Sequence, residues 1–127
     1  MKLWIDDVRP APEGYVWCKS VNQAIYLIDA FICLREGNFK GCEHQFERAQ
    51  QHGFEGSEEC ILEHRISLID IDHDAGDYVS DGGDYIKLLD WLEETGRNYP
   101  IRIHSANPVG VENMRRIIQR NNWKEVF

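Results

Sequence analysis

The order of hydrophobic and polar residues divides the chain into short apolar runs and longer amphipathic stretches. The apolar runs have the length and side chains of buried strands and lie at residues 2–5, 15–18, 66–71 and 100–104. The amphipathic stretches repeat apolar residues at helical spacing over residues 21–32, 85–92 and 111–118. Strands that alternate with helices predict an α/β fold with a mainly parallel sheet of four or five strands and right-handed crossovers.

Capping residues mark where the predicted helices begin. Ser20 and Gln23 have the spacing of a capping box, and Asn107 followed by a proline is a typical helix start. Asp81 is expected to cap the helix that follows it. Residues 123–127 are compatible either with a short edge strand or with a tail that covers the core.

Residues 33–63 differ in character from the rest of the chain. The segment is polar and contains four glycines, and residues 43–51 within it predict a short amphipathic helix with Phe46 and Ala49 facing inward. We interpret it as an excursion from a single domain spanning residues 1–127. A lid, a partner surface and a homodimer contact are three roles that such a segment can have.

Composition excludes several classes of function. The 127 residues carry a formal net charge of −8, which argues against direct binding to a nucleic-acid backbone or an anionic membrane. Four cysteines without a CxxC pair, and no apolar run of membrane-spanning length, predict a cytoplasmic protein with free thiols. A zinc site is a weaker alternative, because the spacing matches no standard knuckle; its ligands would come from Cys42, His44, His52, Cys60 and His64.

Polar side chains accumulate where three of the predicted strands end. The three groups are Asp6 with Asp7, then Asp72 with His73 and Asp74, and finally His104 with Ser105 and Asn107. In open parallel sheets, ligands bind beyond the carboxyl ends of the strands, and packing does not account for so many carboxylates. These groups therefore predict a functional site at one edge of the sheet.

The residue types at this edge suit phosphoester chemistry. Oxygen ligands from carboxylates are what Mg²⁺ or Mn²⁺ prefers, and a metal can then bring in a phosphate. We assign the metal ligands to Asp6, Asp7 and Asp72, the catalytic groups to Asp72, His73, Asp74 and His104, and phosphate binding to Arg9, Ser105 and Asn107. Each group of assignments has a structural alternative: Asp6 or Asp7 can act only as a cap of the loop, and Arg9 can simply neutralise the acid pair. Asn107 can act only as a helix cap, and either histidine can be a satisfied, partly buried side chain.

Three segments in this order resemble the cyclic-phosphate processing receiver domains, a divergent branch of the receiver fold. They are DDVRP at residues 6–10, DHDAG at residues 72–76 and HSANP at residues 104–108. The resemblance implies a flavodoxin-like, three-layer receiver fold. It also implies that Asp6 and Asp7 hold a metal, that Asp72 or Asp74 stands at the phospho-acceptor position, and that Ser105 matches the hydroxyl residue after strand four. The implied ligand is a small phosphorylated nucleotide derivative, including cyclic phosphates.

Departures from the receiver pattern favour an enzyme over a signalling domain. Pro10 and Pro12 stand where a receiver has its first helix, and Lys124 does not match the lysine that ends the fifth receiver strand. We therefore predict a metal-dependent phosphoesterase. Two alternatives are a non-catalytic receiver-like module that binds a nucleotide or a partner, and a domain that accepts a phosphoryl group.

Overall fold

The computed structural model describes residues 1–63 and 65–127 and contains four strands and four α-helices in these residues. The strands are β1 (Lys2–Ile5), β2 (Tyr15–Cys18), β3 (Leu68–Ile71) and β4 (Ile101–Ile103). The helices are α1 (Val21–Arg35), α2 (Phe39–Gln51), α3 (Ile86–Glu94) and α4 (Pro108–Arg120), with short 3₁₀ helices at Glu58–Leu62 and Gly76–Tyr78.

The four strands form one parallel sheet in the order β2-β1-β3-β4. Beyond β4, the amide of Ile101 donates to the carbonyl of Lys124 at 3.0 Å, and the amide of Val126 donates to the carbonyl of Ile101 at 2.7 Å. The last residues therefore lie beside β4 and pair with it through a single parallel bridge between Ile101 and Glu125, at the position of the edge-strand alternative. The prediction of a receiver-like α/β fold is confirmed.

The helices cover one face of this sheet. The crossovers β2–β3 and β3–β4 run in the same direction across the sheet, so right-handed connections place α1 and α3 on the same side, and α3 contacts both α1 and α4. Fully buried aliphatic side chains line this side of the strands: Leu3, Ile5, Ile69, Ile71 and Ile101. A loop at residues 6–14 connects β1 to β2, so this connection supplies no helix for the third layer that the prediction placed on the opposite face.

Residues 33–63 contribute to the same hydrophobic core as the sheet. Helix α2 begins four residues earlier than the sequence predicted, because the Asn38 side chain caps it by accepting from the amide of Gly41 at 2.9 Å. The inward side chains of α2 pack against α1, and the following 3₁₀ helix contacts α1 as well. Four side chains of these two elements are buried in the core cluster: Cys42, Phe46, Ala49 and Ile61.

Asp81 was expected to cap α3, and this prediction is wrong. Helix α3 begins after Tyr85 without a side-chain cap. The Asp81 carboxylate instead accepts from Ser20 Oγ at 2.6 Å and Asn22 Nδ2 at 3.0 Å, and contacts His52 Nδ1 at 2.7 Å. The Asp81 carboxylate therefore binds three partners at the start of α1 and the end of α2 instead of capping α3. It connects the loop before α3 to both of these helices.

Replacing Asp81 with Ala should lower the free energy of unfolding by about 2 kcal/mol, because three polar partners lose one charged acceptor. Chemical denaturation followed by circular dichroism measures this change. Asp90→Ala is the control, since Asp90 makes only a surface contact with Lys87 at 3.9 Å, and it should change stability by no more than ~0.5 kcal/mol. Equal effects of the two substitutions would show that Asp81 does not connect these elements.

Candidate functional site

The loop after β1 is built around the side chain of Asp6. This carboxylate is fully buried, and its Oδ1 accepts from the backbone amides of Val8 at 2.9 Å and Arg9 at 2.8 Å. The Asp6 carbonyl accepts from the indole Nε1 of Trp17 at 2.7 Å. Asp6 therefore turns the chain away from β1 without a helix, in a segment where the prolines would oppose one.

The imidazole of His104 lies between two buried carboxylates. Its Nδ1 is 2.6 Å from Asp70 Oδ1 and its Nε2 is 2.9 Å from Asp6 Oδ2, and both aspartates are fully buried. The indole of Trp4 stacks on the imidazole with ring centroids 3.8 Å apart and an interplanar angle of 5°. Asp70 has a second partner in Arg102, whose Nη1 is 3.2 Å from Asp70 Oδ2.

This geometry favours a positively charged His104. An ionised carboxylate only accepts hydrogen bonds, so two carboxylates on the two ring nitrogens require both nitrogens to carry a proton. Burial lowers the pKa of His104, but the hydrogen bonds and charges of Asp70 and Asp6 outweigh it and raise the pKa above its usual value. The stacked indole of Trp4 adds a favourable contact with a cation.

Asp7 and Asp72 lie on the accessible side of Asp6. The register pairs Ile5 with Ile71, and the amide of Asp72 donates to the carbonyl of Ile5 at 2.9 Å, so Asp72 follows its strand beside Asp6. Burial raises the pKa of Asp7, and the negative charges of Asp6, Asp72 and Asp77 raise it further. Repulsion among these acids is what a bound cation would relieve.

Gly76 allows the Asp7 carboxylate to lie directly against the backbone. It has a φ of +53°, and a Cβ at this position would collide with the Asp7 carboxylate. A side chain here would therefore be strained in its backbone and would also displace one of the acids.

Asp74 belongs to a second, more exposed group. Asp74 Oδ1 lies 2.9 Å from His73 Nδ1 and accepts from Asn107 Nδ2 at 3.3 Å. The hydrogen bond with His73 is the larger of the two effects, and together with that from Asn107 it lowers the pKa of Asp74. The His73 ring rests on Gly110 of α4, where a Cβ would collide with it. Asp72 and Asp74 thus have different surroundings: Asp72 lies among acids, whereas Asp74 lies beside a histidine and an amide.

The predicted phosphate-binding residues lie around these groups. The Asn107 side chain caps α4 by accepting from the backbone amide of Gly110 at 3.0 Å, and the backbone amide of Asn107 donates to Ser105 Oγ at 3.1 Å. Arg9 is exposed; its carbonyl accepts from Trp4 Nε1 at 2.8 Å. The backbone of Arg9 therefore stabilises the loop, while its guanidinium group is accessible.

Among the described residues, one group of side chains has the spacing of a metal site. One ligand atom each from Asp6, Asp72 and His104 lies within 4.8 Å of the other two. Asp6 and Asp72 fit a hard divalent cation, whereas His104 would first have to release its proton and a carboxylate. Cys42, His44, His52 and Cys60 form no such group, and His64 lies outside the described residues.

Sequence reasoning did not identify Asp70 as the partner of His104. It also missed Trp4 and Trp17 as neighbours of the site. The sequence feature that could have revealed Trp4 is its position two residues before Asp6, because alternate residues of an extended chain lie on the same side.

Comparison with known families gives a match over most of the chain. The model of the cyclic-phosphate processing receiver domain matches residues 1–120. Searches of curated proteins and of solved structures gave no significant match. Within residues 1–63 and 65–127, none of the helices has the length and apolar character needed to cross a membrane.

The raised pKa of His104 can be tested by NMR titration of its ring protons in a buffer containing EDTA. We expect a midpoint above the ordinary value of 6.5. The charged His104 then adds to the free energy of unfolding. This contribution is fully present below the pKa of His104 in the unfolded chain and is lost as the pH rises through its pKa in the folded protein. Asp70→Asn removes one charged acceptor and should lower the midpoint. A wild-type midpoint at or below 6.5 would contradict the charged assignment.

Proposed function

The chain belongs to the cyclic-phosphate processing receiver domain family, and we propose that it is a metal-dependent phosphoesterase that acts on a nucleotide-derived phosphate, including cyclic forms. The observation that carries this proposal is the crowding of Asp6, Asp7 and Asp72 at the carboxyl ends of neighbouring strands, with the pKa of Asp7 raised by burial and by the other acids. Such crowding is costly without a cation and suits phosphate chemistry with one.

Asp6 and Asp72, whose ligand atoms have the spacing of a metal site, would hold Mg²⁺ or Mn²⁺, with Asp7 beside them. The cation would supply positive charge to the phosphate oxygens. His104 acts on Asp6 as a positioning residue, because its hydrogen bond at 2.9 Å fixes the orientation of that carboxylate. With both ring nitrogens engaged, His104 can move a proton only by leaving one carboxylate.

His73 is the better placed of the two histidines for proton transfer. Its Nδ1 lies against Asp74, which orients the ring, and it sits between the acids and the start of α4. Asn107 and Ser105 offer polar groups beside it, and the accessible guanidinium of Arg9 can pair with a phosphate. Together these residues would bind the phosphate and orient a water molecule for attack.

The position of Lys124 favours an esterase over a phosphorelay role. The carbonyl of Lys124 pairs with Ile101 at the first residue of β4, at the amino end of the sheet. The acids lie at the carboxyl end, so this lysine is not positioned to contact a phosphoryl group bound there.

Turnover of cyclic nucleotides and nucleoside cyclic phosphates in the presence of Mg²⁺ or Mn²⁺ tests the proposal. Asp72→Asn should reduce kcat at least about 100-fold, because it removes a ligand charge that acts in the transition state. EDTA should abolish turnover of the wild-type protein. Asp90→Asn, at a half-buried position of α3, is the matched control and should keep full activity.

Two results would reject the esterase. The first is tight binding of every substrate with full recovery of intact ligand, which would identify a binding module. The second is a covalent phosphoryl adduct after incubation with acetyl phosphate and Mg²⁺, detected by intact mass without turnover, which would identify a signalling domain.

A further inference from the structure

The free edge of β2 borders a cavity of about 420 Å³, within the range of small-molecule sites. One wall is the edge strand itself with Tyr15, Trp17 and Lys19. The opposite wall comes from the segment after α2 and from the first 3₁₀ helix, and it includes Glu55, Ser57 and Cys60. The cavity therefore combines aromatic side chains with a few polar groups.

The backbone of Trp17 offers an unused donor and acceptor to this cavity. The carbonyl of Cys18 accepts from the amide of Asp6 on the β1 side. Because the amide and carbonyl of alternate residues in a parallel strand point to opposite sides, those of Trp17 point away from β1. Strand β2 stands at the edge of the sheet, so no neighbouring strand pairs with either group.

The open stretch of strand is too short to add a peptide strand. Before it, the amide of Tyr15 donates to the carbonyl of Pro12 at 3.1 Å. After it, the amide of Lys19 donates to Gln23 Oε1 at 2.8 Å, and α1 begins shortly afterwards. One residue with a complete donor and acceptor pair matches the edge of a single nucleobase, whereas strand addition needs several residues.

Two hydrogen bonds connect this cavity to the acidic site. Trp17 Nε1 donates to the carbonyl of Asp6 at 2.7 Å, and Tyr85 Oη donates to the carbonyl of Lys19 at 2.7 Å. Burial and the charges of Asp7, Asp6 and Asp72 raise the pKa of Tyr85, so Tyr85 lies within the field of the acids. From β2 to β3 the sheet spans two strand spacings, about 10 Å, a length that one nucleotide can bridge.

We propose that this cavity binds the base of the nucleotide-derived substrate, with the Trp17 amide and carbonyl pairing with the edge of the ring. The placement of the phosphate at the acids rests on the proposed function, whereas binding of the base does not. Lys19 Nζ lies 4.7 Å from the centre of the Trp17 ring and 3.8 Å from Glu55 Oε1 on the opposite wall, so a positive charge stands at the cavity.

NMR titration of the wild-type protein with adenosine and cytidine, which lack phosphate, tests base binding directly. The Trp17 backbone amide should shift on titration, and an equal concentration of ribose should leave it unmoved. Cys60→Phe fills the cavity from its far wall and should weaken nucleoside binding at least about ten-fold. Cys33→Phe is the matched control, because Cys33 is a half-buried cysteine of α1 outside this cavity.

Kinetics separate this inference from the proposed function. The ratio of kcat/KM for a nucleoside cyclic phosphate to that for glycerol cyclic phosphate, which has no base, should fall in Cys60→Phe and stay constant in Cys33→Phe. Nucleoside binding without any hydrolysis would support the base site and reject the esterase. Hydrolysis without a base preference, with an unperturbed Trp17 amide, would reject the base site and retain the esterase.

Discussion

The bridge from Asp6 through His104 to Asp70 is the interaction on which the candidate site depends. Two carboxylates without solvent access would be prohibitively costly alone, and one imidazolium between them compensates both. The bridge also connects three parts of the sheet, since Asp6 follows β1, Asp70 lies in β3 and His104 follows β4. The relative positions of the strand ends, and hence of the other acids, follow from it.

The connection from β1 to β2 explains why this bridge has room to form. A helix in this connection would cover the sheet face opposite the other helices, and a short loop runs there instead. Trp4 and His104 stack in the space that this leaves. The same loop leaves the Trp17 indole free to reach the Asp6 carbonyl. Next to the acids, aromatic and charged side chains therefore cover this face of the sheet in place of a helix.

Hydrophobic periodicity was enough to predict the strands and the main helices, because apolar spacing is a local property. It also brought Asp6 and Asp72 to one edge, since parallel strand ends meet there. It did not predict the role of Asp81 or the partner of Asp70, because these depend on contacts with Ser20 and His104, which are 61 and 34 residues away. Pairings over such distances follow from tertiary packing, which capping preferences do not encode.

The pairing of β1 with β3 has a consequence for how the chain reaches this structure. Residues 2–5 find their central neighbour only at residues 68–71, so the middle of the sheet closes a loop of more than sixty residues. Contacts of such high sequence separation slow folding, because the entropy of a large loop is lost before the sheet contributes. During synthesis, β1 can pair with β2 early, but its other edge stays unpaired until residues 68–71 have emerged.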